Sequence, residues 1–223
     1  IAKRRNHSNI KTAYFVRYAD DWVILTDSKE AAEKLKFKAQ KYLKDTLKLE
    51  LSVEKTLITN VRTKPVKFLG FEIAMRKQNG IWVNKVRPDR KRLEAKLDNL
   101  KREIFLLRKT SSADTNRIVE GINRINSKIV GLVNYYNTAD QISVDLRRPA
   151  WTLKYTAYKS LKKFGGKWVR ASQVANQIGY NSGHKAHIPA IRYKDMWIGI
   201  TDLNFAKWVA KSPKNQLETP FTD

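Results

Sequence analysis

Two carboxylates stand side by side at Asp20-Asp21, between the apolar runs Ala13-Tyr14-Phe15-Val16-Arg17-Tyr18 and Trp22-Val23-Ile24-Leu25-Thr26. Like charges this close resist joint ionisation unless something positive sits beside them, and a divalent cation is the usual remedy. Two-metal phosphoryl transfer uses carboxylates that tie Mg²⁺ to substrate phosphates, and Mg²⁺ takes hard oxygen ligands while keeping several waters. Asp20 and Asp21 suit that role as catalytic, metal-binding groups. The plainer alternative is a solvated Asp-Asp turn, since turns favour aspartate.

A second concentration of chemistry lies downstream. No acidic residue falls between Asp145 and Asp195, whereas Arg147, Arg148, Lys154, Lys159, Lys162, Lys163, Lys167, Arg170, Lys185, Arg192 and Lys194 all do. Trp151, Tyr155, Tyr158, Phe164, Trp168 and Tyr180 are interleaved with them. Cations that neutralise phosphates, beside aromatic faces that stack on unpaired bases, are the means of RNA recognition. For the aromatics alone, inward packing from a solvated helix is the alternative. It explains the charge less well, because a merely solvated face mixes both signs.

The whole composition agrees. A net charge of +24, from 45 Lys and Arg against 21 Asp and Glu in 223 residues, favours a polyanionic partner, with nucleic acid ahead of an acidic membrane surface. No apolar run approaches the about 18 residues needed to cross a bilayer, and no signal-peptide pattern opens the chain, so no membrane role and a cytoplasmic or nucleoprotein setting are expected. Without cysteine there is no disulfide, thiol nucleophile or cysteine zinc site. His184 and His187 are three apart and could share a metal, but most pairs so spaced are ordinary surface residues.

The elements that must position these residues follow from periodicity. The two apolar runs predict a tight hairpin with the carboxylates at its tip. A helix follows, with Asp27 and Glu30 as a capping box and Ala32, Leu35, Ala39, Tyr42 and Leu43 on one face, ending near Asp45 or Thr46. Leu47, Leu49, Leu51 and Val53 then alternate, predicting a half-buried strand or extended segment. Strands at 66–75 and 81–86 flank Gln78-Asn79-Gly80, where Asn-Gly signals a hairpin. From Arg87-Pro88, with Pro88 in a first helical turn, Leu93, Leu97, Leu100, Ile104 and Leu107 mark one helix. Ser111, Ser112 and Asp114 mark a break. Ile118, Ile122, Ile125, Ile129 and Leu132 or Val133 mark a second helix, and Leu146, Leu153, Ala157, Leu161 and Phe164 a third, ending at Gly165-Gly166. Three such helices predict a small bundle. A short helix at 171–178 and a strand at 196–200 are expected beyond it. The fold class is therefore α+β.

Tyr18-Ala19-Asp20-Asp21 resembles the catalytic hairpin of reverse transcriptases, in the Ala-containing form of the group II intron and related bacterial enzymes. Leu51-Ser52-Val53-Glu54-Lys55-Thr56 and Phe68-Leu69-Gly70-Phe71 follow at that family's spacing. Leu132-Val133-Asn134-Tyr135-Tyr136, after Arg87-Pro88 and paired helices, resembles the maturase region called domain X. The resemblance implies that residues 1–86 are the C-terminal part of a polymerase palm, 87–165 a helical thumb and domain X bundle, and 166–223 a basic extension of the maturase region. It makes Asp20 and Asp21 metal ligands, Lys55 a catalytic cation near the incoming triphosphate, and Phe68, Leu69, Gly70 and Phe71 a primer-grip strand. Gly70 within a strand suggests a bulge or a close backbone approach. For Lys55 a surface lysine, and for Phe68, Leu69 and Phe71 core packing, are the alternatives.

Mg²⁺ is the implied cofactor, and intron RNA and an RNA template with DNA primer are the implied partners. Arg147, Arg148, Lys154, Lys159, Lys162, Lys163, Lys167 and Arg170 become RNA-binding residues in a ribonucleoprotein particle. The fingers and a further palm aspartate are not found in residues 1–19, which carry no acid. We therefore expect a truncation product, an isolated domain or one piece of a split enzyme, inactive alone and completed by an N-terminal fingers and palm portion. The rival readings are a non-catalytic RNA-binding maturase module and a reverse transcriptase from a bacterial defence or CRISPR-associated system.

Overall fold

A computed structural model of the chain describes residues 13–176 and 186–205. His7, Tyr180, His184, Lys185 and residues 206–223 lie outside the described residues. Helices and antiparallel strands are mixed, and the chain divides into two compact units, Ile1–Val86 and Arg87–Asp223.

The first unit opens with a hairpin of β1 (Tyr14–Tyr18) and β2 (Asp21–Leu25), in register from Tyr14 opposite Leu25 to Tyr18 opposite Asp21. Helix α1 (Lys29–Leu47) follows. Its cap is Ser28, whose hydroxyl accepts from the Ala31 N–H at 3.2 Å, so the cap stands one residue later than the expected Asp27. Ala32, Leu35, Ala39 and Leu43 are half-buried as the periodicity requires, whereas Tyr42 is 58% exposed. Beyond α1, Lys48 turns left-handed (φ 54°) and the Leu49 N–H donates to the Leu43 carbonyl, closing the helix. The alternating segment from Leu47 to Val53 is not a strand. Leu47 completes the helix, residues 48–52 run irregularly and Val53 to Lys55 form a turn, because no strand among the described residues pairs with this backbone.

A three-stranded sheet completes the unit, ordered β3 (Val66–Phe68), β4 (Phe71–Gln78), β5 (Ile81–Pro88). The single strand expected over 66–75 is two strands with a two-residue turn at Leu69-Gly70 (φ 47° and 76°). Gly70 therefore supplies a turn conformation, not a bulge. Asn79-Gly80 forms the second turn with φ 50° and 82°. Ala74 is the one fully covered apolar side chain among the described residues of this unit, while Phe15, Tyr18, Phe37, Tyr42, Val53 and Leu57 are exposed.

The second unit has a substantial core. Helix α2 (Arg90–Leu106) is capped by Asp89, whose carboxylate accepts from the Arg92 N–H at 3.1 Å. Pro88 precedes that cap and ends β5, so it is not in the first helical turn. Leu93, Leu97, Leu100 and Ile104 are buried, with Leu107 buried in the 3₁₀ turn beyond. Helix α3 (Thr115–Tyr136), capped by Asp114, buries Ile118, Ile122, Ile125, Ile129, Leu132 and Val133. Helix α4 (Ile142–Lys162) buries Leu146, Leu153, Ala157 and Leu161. Each such leucine or isoleucine contributes about 1.5–3 kcal/mol by leaving water.

The expected bundle is present, and a sheet is added to it. Strands β6 (Lys167–Arg170), β7 (His187–Tyr193) and β8 (Met196–Gly199) are antiparallel in that order and pack on α4. Val169, Val174, Ile188 and Ala190 form their shared core with Trp197. The helix expected at 171–178 is a 3₁₀ turn at Ala171–Gln173, and its last two positions lie outside the described residues. Buried Asn126 on α3 joins the layers: its amide donates to the Gly199 carbonyl and accepts from the Thr201 N–H, both at 2.8 Å.

Candidate active site and nucleic-acid interface

At the tip of the first hairpin, two residues connect the strands. Ala19 is left-handed (φ 52°), a conformation an alanine adopts only under constraint, and the Arg17 Nε–H donates to its carbonyl at 2.7 Å, pinning the turn. Asp20 lies in the turn and Asp21 is the first residue of β2. Both are exposed, and neither makes an ion pair among the described residues. Phe15 and Trp22, with ring centres 6.2 Å apart, stiffen the strands behind the tip. Two exposed hard-oxygen donors that make no ion pair among the described residues suit a divalent metal as part of a larger ligand set. Among the described residues no group of three His, Cys, Asp or Glu forms a complete set.

Lys55 is exposed in the turn after α1. The Thr56 N–H donates to the Ser52 carbonyl at 3.0 Å, and the Thr56 carbonyl accepts from Lys36 Nζ at 2.8 Å, which fastens this turn to α1. No hydrogen bond or ion pair links Lys55 to either aspartate. Phe68, Leu69 and Phe71 are half-buried around the tight turn, with Phe68 opposite Phe71, so they form a hairpin end and not a straight strand.

The basic block spreads over α4 and β6. Arg147, Arg148, Lys159, Lys162, Lys167 and Arg170 are exposed. Lys154 and Lys163 have other partners. Lys154 Nζ is 2.9 Å from an oxygen of buried Asp202, and Lys163 Nζ donates to the carbonyls of Arg108 and Thr110 at 2.7 and 3.1 Å. The aromatics also divide into two stacks. Tyr158 packs on Trp168 of β6 at 4.8 Å, joining helix to sheet, while Trp151 and Tyr155 stack on the solvent side of α4 at 5.6 Å. At the start of α4, Arg87 holds Asp145 through two hydrogen bonds, which with the neighbouring Asp145 charge raise the guanidinium above its ordinary value.

Residues 2–73 match the family described as reverse transcriptase (RNA-dependent DNA polymerase). Over 171 residues the chain is 30% identical to the group II intron-encoded protein LtrA of Lactococcus lactis subsp. cremoris, and it matches the same protein of strain MG1363 equally. The chain is a relative of the group II intron-encoded reverse transcriptases. The alignment covers 68% of this chain and 28% of LtrA, so the chain spans well under half the length of the curated relatives it matches. Asp20, Asp21, Lys55 and Phe68 to Phe71 all fall inside the segment that matches the reverse transcriptase family. The basic face of α4 lies beyond it. Lys36, Asp202 and Asn126 were invisible as contributors from sequence, because each acts on a backbone or side chain distant along the chain. No helix among the described residues is long and apolar enough to cross a membrane.

Proposed function

We propose that this chain is the C-terminal portion of a group II intron reverse transcriptase and maturase, binding intron RNA to assist splicing and taking part in RNA-templated DNA synthesis. The observation that carries this reading is the pinned Tyr18-to-Asp21 turn, which presents two exposed carboxylates, without an ion pair among the described residues, within the segment that matches reverse transcriptases. Residues 1–86 act as palm, 87–165 as thumb and domain X, and 166–223 as a basic extension.

Asp20 and Asp21 would hold Mg²⁺, which when bound neutralises charge on the reacting phosphates. The turn fixed by Arg17 orients both carboxylates, and a two-metal centre takes a further carboxylate from another palm strand. Lys55 offers a single cation to the incoming triphosphate. The apolar side chains exposed on the first unit, Phe37 at 68% and Leu57 at 74% among them, support an additional palm and fingers portion as the partner that covers them. The exposed cations of α4 and β6 support RNA as the other partner.

The test uses the complete enzyme. Asp20→Asn and Asp21→Asn are each assayed for cDNA synthesis and for RNA affinity. Synthesis should fall on the order of a hundredfold or more, the scale of removing one preorganised electrostatic group, with RNA affinity kept. Equal loss of both would make the carboxylates structural and overturn the catalytic reading.

A further inference from the structure

The stacked pair on the outer side of α4 belongs to a longer pattern. Val144, Arg148, Trp151, Tyr155, Lys159 and Lys162 recur at intervals of three or four and form one helical face, and every one of them is exposed. Trp151 is 68% and Tyr155 44% exposed. Their rings lie within 8° of parallel, and Lys159 Nζ stands 4.6 Å from the Tyr155 ring centre. A shallow concavity of about 520 Å³, lined by Val144, Arg147, Arg148, Trp151 and Asn204, adjoins the ladder at its arginine end. The nearby acids are already engaged, Asp145 by Arg87 and Asp202 by Lys154. The face is therefore cationic at both ends and aromatic between.

Fold stability does not account for this arrangement. The other stack on α4, Tyr158 with Trp168, joins helix to sheet, whereas Trp151 and Tyr155 leave large ring surfaces in water. Single exposed apolar residues are ordinary, but two stacked rings between cations match what unpaired nucleotides require. A paired A-form helix offers phosphates and sugar hydroxyls while its base faces remain covered. Only an unpaired base can lie on an open ring. From Arg148 to Lys159 the helix rises about 16 Å, a span of a few nucleotides.

Resting on the RNA-binding reading above, we propose that the Trp151–Tyr155 ladder is a stacking platform for a single-stranded stretch of RNA, its phosphates held by Arg147 and Arg148 at one end and Lys159 and Lys162 at the other. The platform gives α4 a preference for unpaired over paired RNA, which charge alone does not.

The experiment measures affinity of the full chain for oligoadenylate and for a blunt RNA duplex at one salt concentration. The variants are Trp151→Leu/Tyr155→Leu, Trp151→Phe/Tyr155→Phe, and Arg147→Glu/Arg148→Glu/Lys159→Glu/Lys162→Glu. Stacking is worth about 1–3 kcal/mol per base, so the leucine pair should weaken oligoadenylate binding by about tenfold or more and duplex binding by less than about twofold. The phenylalanine pair should retain most of the preference, which separates lost stacking from lost folding. The charge-reversed variant should weaken both probes. Unchanged oligoadenylate affinity in the leucine pair, or equal loss for both probes, overturns the platform. If charge reversal also leaves both probes unaffected, the RNA-binding reading of α4 fails with it.

Discussion

Lys154 Nζ lies 2.9 Å from an Asp202 carboxylate oxygen, and the Asp202 side chain is only 3% exposed. The pair ties the middle of α4 to the segment after β8. Removing the lysine leaves a covered carboxylate short of a cation, although the Asn204 backbone N–H and side-chain amide still donate to it. Because Lys154 is itself partly exposed, Lys154→Ala should cost about 2 kcal/mol, discounted from a fully buried pair. Lys162→Ala, on the exposed face, should stay within about 0.5 kcal/mol. Denaturant unfolding of both variants checks the contrast. Equal stability would mean that the Asp202 pair contributes nothing.

The turn bearing Lys55 is fastened to α1 by the bond from Lys36 to the Thr56 carbonyl. In the complete enzyme, Lys55→Ala should raise KM for nucleotide about tenfold, the loss of one charge-assisted contact. Lys36→Ala should give a smaller rise in the same constant through the loosened turn. Steady-state kinetics with varied nucleotide distinguishes this from a surface lysine, whose removal would leave KM unmoved.

A methyl group at Gly166 would meet the Leu161 carbonyl carbon and oxygen at 2.7 Å, and the Gly166 N–H donates to that same oxygen. Backbone cannot move aside as a side chain end can. Gly166→Ala should therefore destabilise the second unit by about 2 kcal/mol or more. Gly165, left-handed at φ 74° in open space, should lose only about 1 kcal/mol on change to Ala. The order of the two melting temperatures is the measurement, and a more damaging Gly165→Ala would contradict the packing argument.

Binding of structured RNA should weaken steeply with salt, and reversing Arg147, Arg148, Lys159, Lys162, Lys167 and Arg170 should flatten that dependence. Each lost phosphate contact lowers the logarithmic slope by about 0.7–0.9. Reversing Lys34, Lys38 and Lys41 on α1 should do little. Affinities at several salt concentrations for both sets decide between a localised surface and diffuse attraction by the +24 charge.

The Arg87–Asp145 pair should show no loss of its contribution as pH rises through neutrality. The hydrogen bonds that Arg87 donates to Asp145, and that carboxylate's charge, raise the guanidinium above its ordinary value, so stability from this shift is fully present up to that ordinary value and is lost only at still higher pH. Arg87→Lys should cost about 1 kcal/mol by replacing a forked donor with a single one, and the cost should be constant from pH 6 to 9, roughly the neutral range. Unfolding curves at several pH values test this, and a cost that vanished within that range would point to a different partner.

Much of this protein was legible in its sequence where the physics is local. The helical spacing of Leu93, Leu97, Leu100 and Ile104, and of Ile118 to Val133, marks faces that the structure buries, because a side chain's direction along a helix depends only on its position. Asn79-Gly80 marks its turn for the same reason, since few residues tolerate those dihedrals. The adjacent carboxylates and the one-signed basic block need no fold to be seen. Tertiary structure decided what depends on a distant partner. Leu49 and Val53 alternate like a strand, yet a strand needs a neighbour's hydrogen bonds and none of the described strands supplies them there. Leu69-Gly70 reads as strand interior until Phe68 is found opposite Phe71. Lys154 and Lys159 look alike in a basic run, but one faces a buried carboxylate 48 residues away and the other faces solvent beside Tyr155. Burial and partner, which set whether a charge is structural or free to bind phosphate, arise only when segments far apart in the chain are packed together.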